Sequence, residues 1–154
     1  MGSNFLEVEA TMNKSLSILI VDDDPGIHRL LKYDLESMFE TIYSAGNVAR
    51  GIDIAKGKHP DLILLDISLP DEDGFKLGRE LQSDEVTRDI PIIYLTGKDS
   101  FTSIATGMDL GGVDYITKPY NKVELLARIR SALRISKRIE ELKSNPQQDN
   151  PQEK

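Results

Sequence analysis

The stretch Ile18-Leu19-Ile20-Val21-Asp22-Asp23-Asp24-Pro25 joins a short apolar run to three acids and a proline. Four consecutive apolar residues, without the polar alternation of a half-exposed strand, are typical of a strand buried on both faces of a parallel sheet. Asp24 before Pro25 favours a helix start, because an acid at the N-cap accepts a backbone hydrogen bond and proline fits the first helical turn. The stretch therefore predicts a buried strand that leads directly into a helix.

Strand-like and helix-like segments alternate along the rest of the chain. Five short apolar runs predict strands at 18–21, 41–45, 62–65, 92–95 and 113–117. Between them, apolar residues at helical spacing predict four helices, the first with Ile27, Leu30, Leu31 and Leu35 on its covered stripe and the fourth around Ile104 and Met108. A last helix is predicted from about 122 to about 143. Strands that alternate with helices indicate an α/β fold with a parallel sheet covered on both faces.

Composition excludes several classes of protein. The 154 residues carry a net charge of -7, so phosphate backbones would repel the chain and nucleic acid is not an expected partner. No apolar run approaches the roughly 18 residues of a membrane helix, and no membrane association is expected. The absence of cysteine excludes disulfides and thiolate metal sites and fits a cytoplasmic protein. His28 and His59 are the only histidines, which makes a zinc site improbable.

The chain divides by composition into one domain and its flanks. Residues 1–15 are weakly patterned and are expected to be a tag or a disordered leader. Residues 16–134 form the predicted domain, and 135–143 a helical extension. Residues 144–154 are rich in proline and glutamine and almost free of apolar residues, so they cannot offset the entropy of ordering and are expected to be disordered.

Acids follow two of the predicted strands, at the ends where ligands bind in open α/β sheets. Asp22 and Asp23 follow the first strand, and Asp66 follows the third. Carboxylates brought together repel unless they share a cation, and a set of oxygen ligands suits Mg²⁺. Alternatively, the side chains of Asp22 and Asp23 are solvated and only extend the polar N-cap of the helix that follows. For Asp24 the capping role is preferred.

A hydroxyl and an ammonium are predicted at the same edge of the sheet. Thr96 follows the fourth strand and Lys118 the fifth, although each taken alone is an ordinary turn or surface residue. Together with the acids they suit a reaction in which a carboxylate meets a phosphoryl group, because such transfer depends mainly on positioning and charge neutralisation.

In these residues the chain resembles the receiver domain of two-component response regulators, over the whole of residues 16–134. The resemblance rests on Asp22-Asp23, on Asp66 with Leu69-Pro70-Asp71-Glu72-Asp73-Gly74 behind it, on Thr96 and on Lys118-Pro119. It implies a flavodoxin-like doubly wound sheet of strand order 2-1-3-4-5 with an extended C-terminal helix. It also implies a signalling phosphoacceptor, which catalyses its own phosphotransfer and dephosphorylation but is not otherwise an enzyme.

The resemblance further implies a role for each site residue. Asp66 would accept a phosphoryl group from a histidine kinase or phosphotransfer protein. Asp23, Asp66 and the backbone carbonyl of Ser68 would bind Mg²⁺ directly, and Asp22 mainly through water. Lys118 would pair with the phosphoryl group and Thr96 would hydrogen-bond it. Tyr115 would change rotamer on activation or, alternatively, be a half-packed strand residue, and the peptide bond before Pro119 would be cis.

Three other functions remain open at this point. A phosphatase of the haloacid dehalogenase class uses similar groups, but Gly26 stands where its motif has Thr or Val, and no residues are left for a cap. A flavodoxin-type electron carrier would need a phosphate-binding loop where three acids stand. The third alternative is a receiver used only for docking or dimerisation.

The last helix has an apolar seam that continues beyond the length needed to cover the sheet. The seam keeps steps of three and four residues and consists of Leu125, Ile129, Ala132, Ile135, Ile139 and Leu142. It is either a frayed helix end or an extension that pairs with a partner or leads into an output module. A homodimer is therefore expected through this helix, or through the face that the fifth strand forms with the helix around Ile104 and Met108.

Overall fold

A computed structural model describes residues 15–67, 74–97 and 114–144 of the chain. The strands are β1 (Ser17–Val21), β2 (Thr41–Ala45), β3 (Leu62–Asp66), β4 (Ile92–Thr96) and β5 (Asp114–Thr117). The helices are α1 (Pro25–Leu35), α2 (Val48–Lys58), α3 (Gly74–Gln82) and α4 (Lys122–Ser144). The predicted strands are confirmed to within one residue at each described end. The helix predicted around Ile104 and Met108 lies outside the described residues, as do 1–14 and 145–154.

All described strands are parallel and form one sheet of order β2-β1-β3-β4-β5. This is the doubly wound, flavodoxin-like arrangement, in which the chain starts at an inner strand and winds outward in both directions. β1 and β3 are neighbours, with Val21 opposite Leu65. The residues that follow these two strands are therefore held side by side at one edge of the sheet.

Each face of the sheet has its own apolar core. One core lies under α1 and α4 and includes Ile20, Leu31, Leu64 and Ile129, and the other lies under α2 and α3 and includes Val21, Leu65, Leu77 and Tyr94. The middle strands β1, β3 and β4 are buried on both sides, as their unbroken apolar runs predict.

The stripe predicted for α1 is wrong at one position. Leu31 and Leu35 are fully buried, but Leu30 is 49% exposed. Successive helical residues point about 100° apart, so Leu30 turns away from the sheet once Leu31 faces it. The start of α1 is as predicted, because the Asp24 carboxylate accepts a hydrogen bond of 2.8 Å from the Gly26 N–H and Pro25 occupies the first turn.

Helix α4 is regular over 23 residues and changes character along its length. Leu125, Ile129, Ala132 and Leu133 are buried against the sheet, whereas the apolar side chains beyond them, Ile135, Ile139 and Leu142, are each about half exposed. Within the described ranges no helix combines the length and apolar character that crossing a membrane would require.

Helix α3 approaches the sheet so closely at Gly78 that no larger residue fits. A Cβ atom there would overlap the hydroxyl of Tyr94, a fully buried side chain of β4, and would lie 3.1 Å from its ring carbon Cζ. The Tyr94 ring also stacks on Tyr115, with centroids 5.5 Å apart, so it has little room to move. The close approach therefore depends on glycine.

We expect Gly78→Ala to lower the free energy of unfolding by about 1 to 3 kcal/mol, because overpacking a rigid core outweighs the better helix propensity of alanine. Gly57→Ala is the matched control, since Gly57 lies in α2 with nothing within 4 Å of the added methyl group. The control should raise the free energy of unfolding by up to about 1 kcal/mol. Urea titrations of both variants measure the difference, and equal midpoints would contradict the account of this contact.

Candidate functional site

Two buried carboxylates and one ammonium meet at the carboxyl edge of the sheet. Asp22 directly follows β1 and Asp66 ends β3, and they are 1% and 4% exposed. Lys118, which follows β5, places its Nζ atom 3.1 Å from Asp22 Oδ2 and 3.2 Å from Asp66 Oδ2. The sequence prediction that these three side chains converge is therefore confirmed, and the ammonium bridges the two carboxylates.

A third carboxylate completes an acidic cluster. Asp22, Asp23 and Asp66 each offer a carboxylate oxygen, and these oxygens all lie within 4.8 Å of one another. Asp23 is exposed and the other two are buried, so the cluster is open on one side. A donor set made only of carboxylate oxygens fits a hard cation such as Mg²⁺. Ser68, whose carbonyl was predicted as a further ligand, lies outside the described residues.

Burial and charge shift the protonation equilibria of this cluster. Burial raises the pKa of Asp22, and the charge of Asp66 adds to the increase. Opposing it, Asp22 Oδ1 accepts a hydrogen bond of 3.0 Å from the Asp24 N–H and Oδ2 pairs with Lys118. For Lys118, burial alone would lower the pKa, but the neighbouring Asp66 and Asp22 carboxylates hold it above its usual value. Lys118 therefore stays charged at neutral pH.

The raised pKa of Asp22 gives its effect on stability a definite sign. Between the ordinary aspartate pKa of 3.8 and the raised value, the folded state binds more protons than the unfolded state. The contribution of Asp22 to the stability of the metal-free protein therefore falls as pH rises through this window. We expect Asp22→Asn to raise the urea midpoint at pH 7 in the presence of EDTA, and the gain to disappear as pH falls below 3.8.

Asp84 is a control of opposite sign. It is partly exposed, and a hydrogen bond from the Val86 N–H, with a smaller contribution from Lys56, lowers its pKa. Its charged form therefore stabilises the fold above pH 3.8, so Asp84→Asn should lower the midpoint at pH 7 and lose that effect at acid pH. A gain for Asp22→Asn that does not depend on pH would contradict the role of ionisation.

Thr96 ends β4 beside Asp66, whose Cα is paired with that of Leu95. The residue is fully buried, and its backbone carbonyl accepts a hydrogen bond of 2.7 Å from the Lys118 N–H. Among the residues that the structure describes, its Oγ1 atom is a buried hydroxyl without a hydrogen-bond partner. A buried unpaired hydroxyl is costly to the fold, so a group that accepts its hydrogen bond would be favoured here.

The predicted switch residue Tyr115 lies in β5, two strands away from Asp66 at the end of β3. It is partly buried in β5 and stacks on Tyr94 of β4, to which it is paired in the sheet. The peptide bond Lys118–Pro119 is cis, as the resemblance implied.

A comparison with protein families matches residues 18–130 to the response regulator receiver domain. The chain belongs to this family. It is 42% identical over 122 residues to the DNA-binding dual master transcriptional regulator RpaA of Synechocystis, an alignment that covers 79% of this chain and 51% of that protein. The receiver thus spans about half the length of the curated relatives it matches.

Solved receiver structures have the same fold. The receiver domain protein of Methanospirillum hungatei is 29% identical and matches with a TM-score of 0.75 over 81% of this chain and 98% of its own. The receiver of a sensor histidine kinase from Pseudomonas aeruginosa is 26% identical and matches with a TM-score of 0.69 over 77% of this chain and 98% of its own. That structure has a magnesium ion coordinated in its active site cleft. The family assignment removes the basis for a dehalogenase-type phosphatase or an electron carrier.

Sequence reasoning missed three neighbours of the receiver site. The ring Nε2 of His28 lies 2.6 Å from the Asp22 carbonyl, which can only accept, so this nitrogen donates. The ring of Tyr94 stacks on that of Tyr115, and Asp34 of α1 accepts a hydrogen bond from Tyr120. The spacing of His28 from Asp22, one helical turn into α1, was an available signal. The last contact joins residues 86 positions apart and has no local signature.

Proposed function

We propose that this receiver domain accepts a phosphoryl group on Asp66 from a phosphohistidine of a histidine kinase or phosphotransfer protein. The observation that carries the proposal is the Asp66 carboxylate, buried at the end of β3, 3.2 Å from the Lys118 ammonium and clustered with Asp22 and Asp23. A carboxylate in such a cluster is a nucleophile whose surroundings neutralise added negative charge.

In the proposed transfer an Asp66 oxygen attacks phosphorus, forming a P–O bond while the P–N bond to the donor imidazole breaks. The bond electrons leave with the imidazole nitrogen, and no proton is taken from Asp66. Lys118 lies where it can exchange its contact with the Asp66 carboxylate for one with a phosphoryl oxygen. The Thr96 hydroxyl is available to donate a hydrogen bond to another of these oxygens.

The metal set proposed for this reaction is Asp22, Asp23 and Asp66, with the backbone carbonyl of Ser68. The carboxylate cluster fits Mg²⁺ by the chemistry of its donors, and the magnesium in the Pseudomonas receiver supports the same choice. When bound, Mg²⁺ would offset the negative charge of the carboxylates and the phosphoryl group. Lys118 already shares two of these carboxylates, so the protein's own cation competes with the metal.

Intact-mass spectrometry of the wild-type chain after incubation with acetyl phosphate tests the proposal. With Mg²⁺ we expect uptake of one phosphoryl group, and with EDTA we expect none. Equal phosphoryl uptake with Mg²⁺ and with EDTA would contradict the proposed function. So would the absence of uptake by protein that is shown to be folded.

The proposed output is a change in self-association. Drawing the Thr96 hydroxyl toward a phosphoryl oxygen would free space beside β4 for the Tyr115 ring, a local event that biases a two-state surface. The surface would include β5 and either the helix predicted around Ile104 or the half-exposed seam of Ile135, Ile139 and Leu142 on α4. Coupling of this kind changes an affinity by about 5-fold to 150-fold.

We therefore expect a beryllofluoride mimic to strengthen dimerisation of the wild type in sedimentation velocity, and Thr96→Ala to remove that response while still forming the acylphosphate. Thr117→Ala is the matched control, since Thr117 is the β5 partner of Thr96 but is exposed. It should respond like the wild type. Identical sedimentation of the wild type with and without the mimic at all concentrations would remove dimerisation as the output.

A further inference from the structure

Two hydrogen bonds hold the loop that carries Lys118, one from the backbone of Lys118 itself and one from Tyr120. Residues 118–121 connect β5 to α4. On one side, the Lys118 N–H donates to the Thr96 carbonyl over 2.7 Å, which ties the start of the loop to β4. On the other side, the Tyr120 hydroxyl donates to Asp34 Oδ2 over 2.9 Å, which ties the loop to the last turn of α1. The hydrogen bond from Tyr120 to Asp34 joins the loop to a helix that is remote in sequence.

The carboxylate of Asp34 occupies a position that requires polar partners. Asp34 is only 8% exposed, and it lies at the negative end of the α1 dipole, where an anion is disfavoured. Besides Tyr120, its charge is met by the Lys122 ammonium at 3.9 Å. Buried charged contacts are weak evidence for a role in stability, because apolar replacements of similar volume are often neutral or stabilising. What the polar pair adds is a fixed direction and distance between the loop and α1.

Tyr120 is suited to hold that direction. Its ring packs on the core under α1 and α4, so its position is fixed by the same contacts that join these helices. Burial, together with the Asp34 carboxylate, raises the pKa of Tyr120, so its hydroxyl stays protonated and keeps donating over the whole physiological range. Two residues earlier, the Lys118 side chain must reach both Asp22 and Asp66, at 3.1 and 3.2 Å.

We infer that Tyr120 is a positioning residue for Lys118: its hydrogen bond to Asp34 holds the loop so that the ammonium lies between Asp22 and Asp66. This inference rests on the proposed function, in which Lys118 moves to the phosphoryl group. Loss of the hydrogen bond would leave the loop held by its bond to β4, by the packing of the Tyr120 ring and by the Lys122–Asp34 contact, but without the fixed direction that the hydroxyl gives it. The ammonium would then spend less time in the bridging position, which would slow phosphoryl transfer and weaken its competition with Mg²⁺.

A double-mutant cycle tests the inference on the full chain, with the wild type, Tyr120→Phe, Lys118→Met and the double variant. The first readout is the initial rate of acylphosphate formation from acetyl phosphate at saturating Mg²⁺, and the second is Mg²⁺ affinity by calorimetry. We expect Tyr120→Phe to slow the rate on the order of 5-fold to 10-fold, the effect of one hydrogen bond, and to raise Mg²⁺ affinity. In the Lys118→Met background, Tyr120→Phe should change neither quantity.

Two further variants separate positioning from a general effect on folding. Asp34→Asn keeps an acceptor for the Tyr120 hydroxyl and should keep the wild-type rate, whereas Asp34→Leu should match Tyr120→Phe. Tyr33→Phe is the matched control, because Tyr33 lies in the same helix but is 71% exposed, and it should behave as the wild type. All rates are compared at temperatures where urea titration shows each variant fully folded.

Effects of Tyr120→Phe that persist in the Lys118→Met background, or a wild-type rate and Mg²⁺ affinity for Tyr120→Phe itself, would overturn the inference. A wild type that takes up no phosphoryl group would instead overturn the proposed function. In that case the Mg²⁺ cycle still decides whether Tyr120 positions Lys118, because it requires no phosphorylation.

Discussion

Asp66→Asn is expected to reduce Mg²⁺-dependent phosphoryl uptake to background. The amide keeps the shape of the buried side chain at the end of β3 but is not a nucleophile under these conditions, so no acylphosphate can form. The substitution also removes one of two buried negative charges that share Lys118, and the variant should therefore remain folded. Intact-mass spectrometry with acetyl phosphate measures the loss.

Asp53→Asn is the matched control for this result, since it makes the same change on the exposed side of α2. It should take up phosphoryl groups as the wild type does. If Asp66→Asn still acquired one phosphoryl group with the same dependence on Mg²⁺, another residue would be the acceptor.

The neighbouring acids Asp23 and Asp24 should separate metal binding from helix capping. Asp23 belongs to the carboxylate cluster, whereas the Asp24 side chain is occupied with the Gly26 N–H. Asp23→Ala should weaken Mg²⁺ binding at least on the order of 10-fold, because it removes a proposed ligand, with little loss of stability in the metal-free protein. Asp24→Ala should leave Mg²⁺ affinity nearly unchanged and lower the free energy of unfolding by about 1 kcal/mol.

Calorimetric Mg²⁺ titrations and urea titrations in EDTA distinguish the two effects. If Asp24→Ala lost Mg²⁺ affinity and Asp23→Ala lost stability, the assignment of metal binding to Asp23 and helix capping to Asp24 would be wrong.

Much of this fold was predictable because its signals are local. The unbroken apolar runs of β1, β3 and β4 reflect strands buried on both faces, and Asp24-Pro25 marks a helix start that the structure confirms. Leu30 was misplaced because a helical stripe read from sequence is broader than the surface the sheet can cover. The site was predictable for a related reason: parallel strands bring their carboxyl ends to one edge, so Asp22, Asp66 and Lys118 had to converge.

The contacts that sequence reasoning missed are those fixed by packing between distant elements. Gly78 reads as a weak point in a helix, and only the buried Tyr94 ring beneath it explains why no side chain fits there. Asp34 reads as an exposed acid at the end of α1, and its burial becomes apparent only when the loop after β5 folds over it. Such pairs have no fixed spacing along the chain, so no local pattern predicts them.

We propose that Asp66 itself carries the phosphoryl group, and the position of the modification on the chain decides this. The wild-type chain is incubated with acetyl phosphate and Mg²⁺, the acylphosphate is reduced with borohydride, and the peptides are mapped by mass spectrometry. Borohydride converts a phosphorylated aspartate to homoserine, so we expect homoserine at position 66 and unmodified aspartate at 22 and 23. Homoserine at position 22 or 23, with Asp66 unchanged, would contradict it.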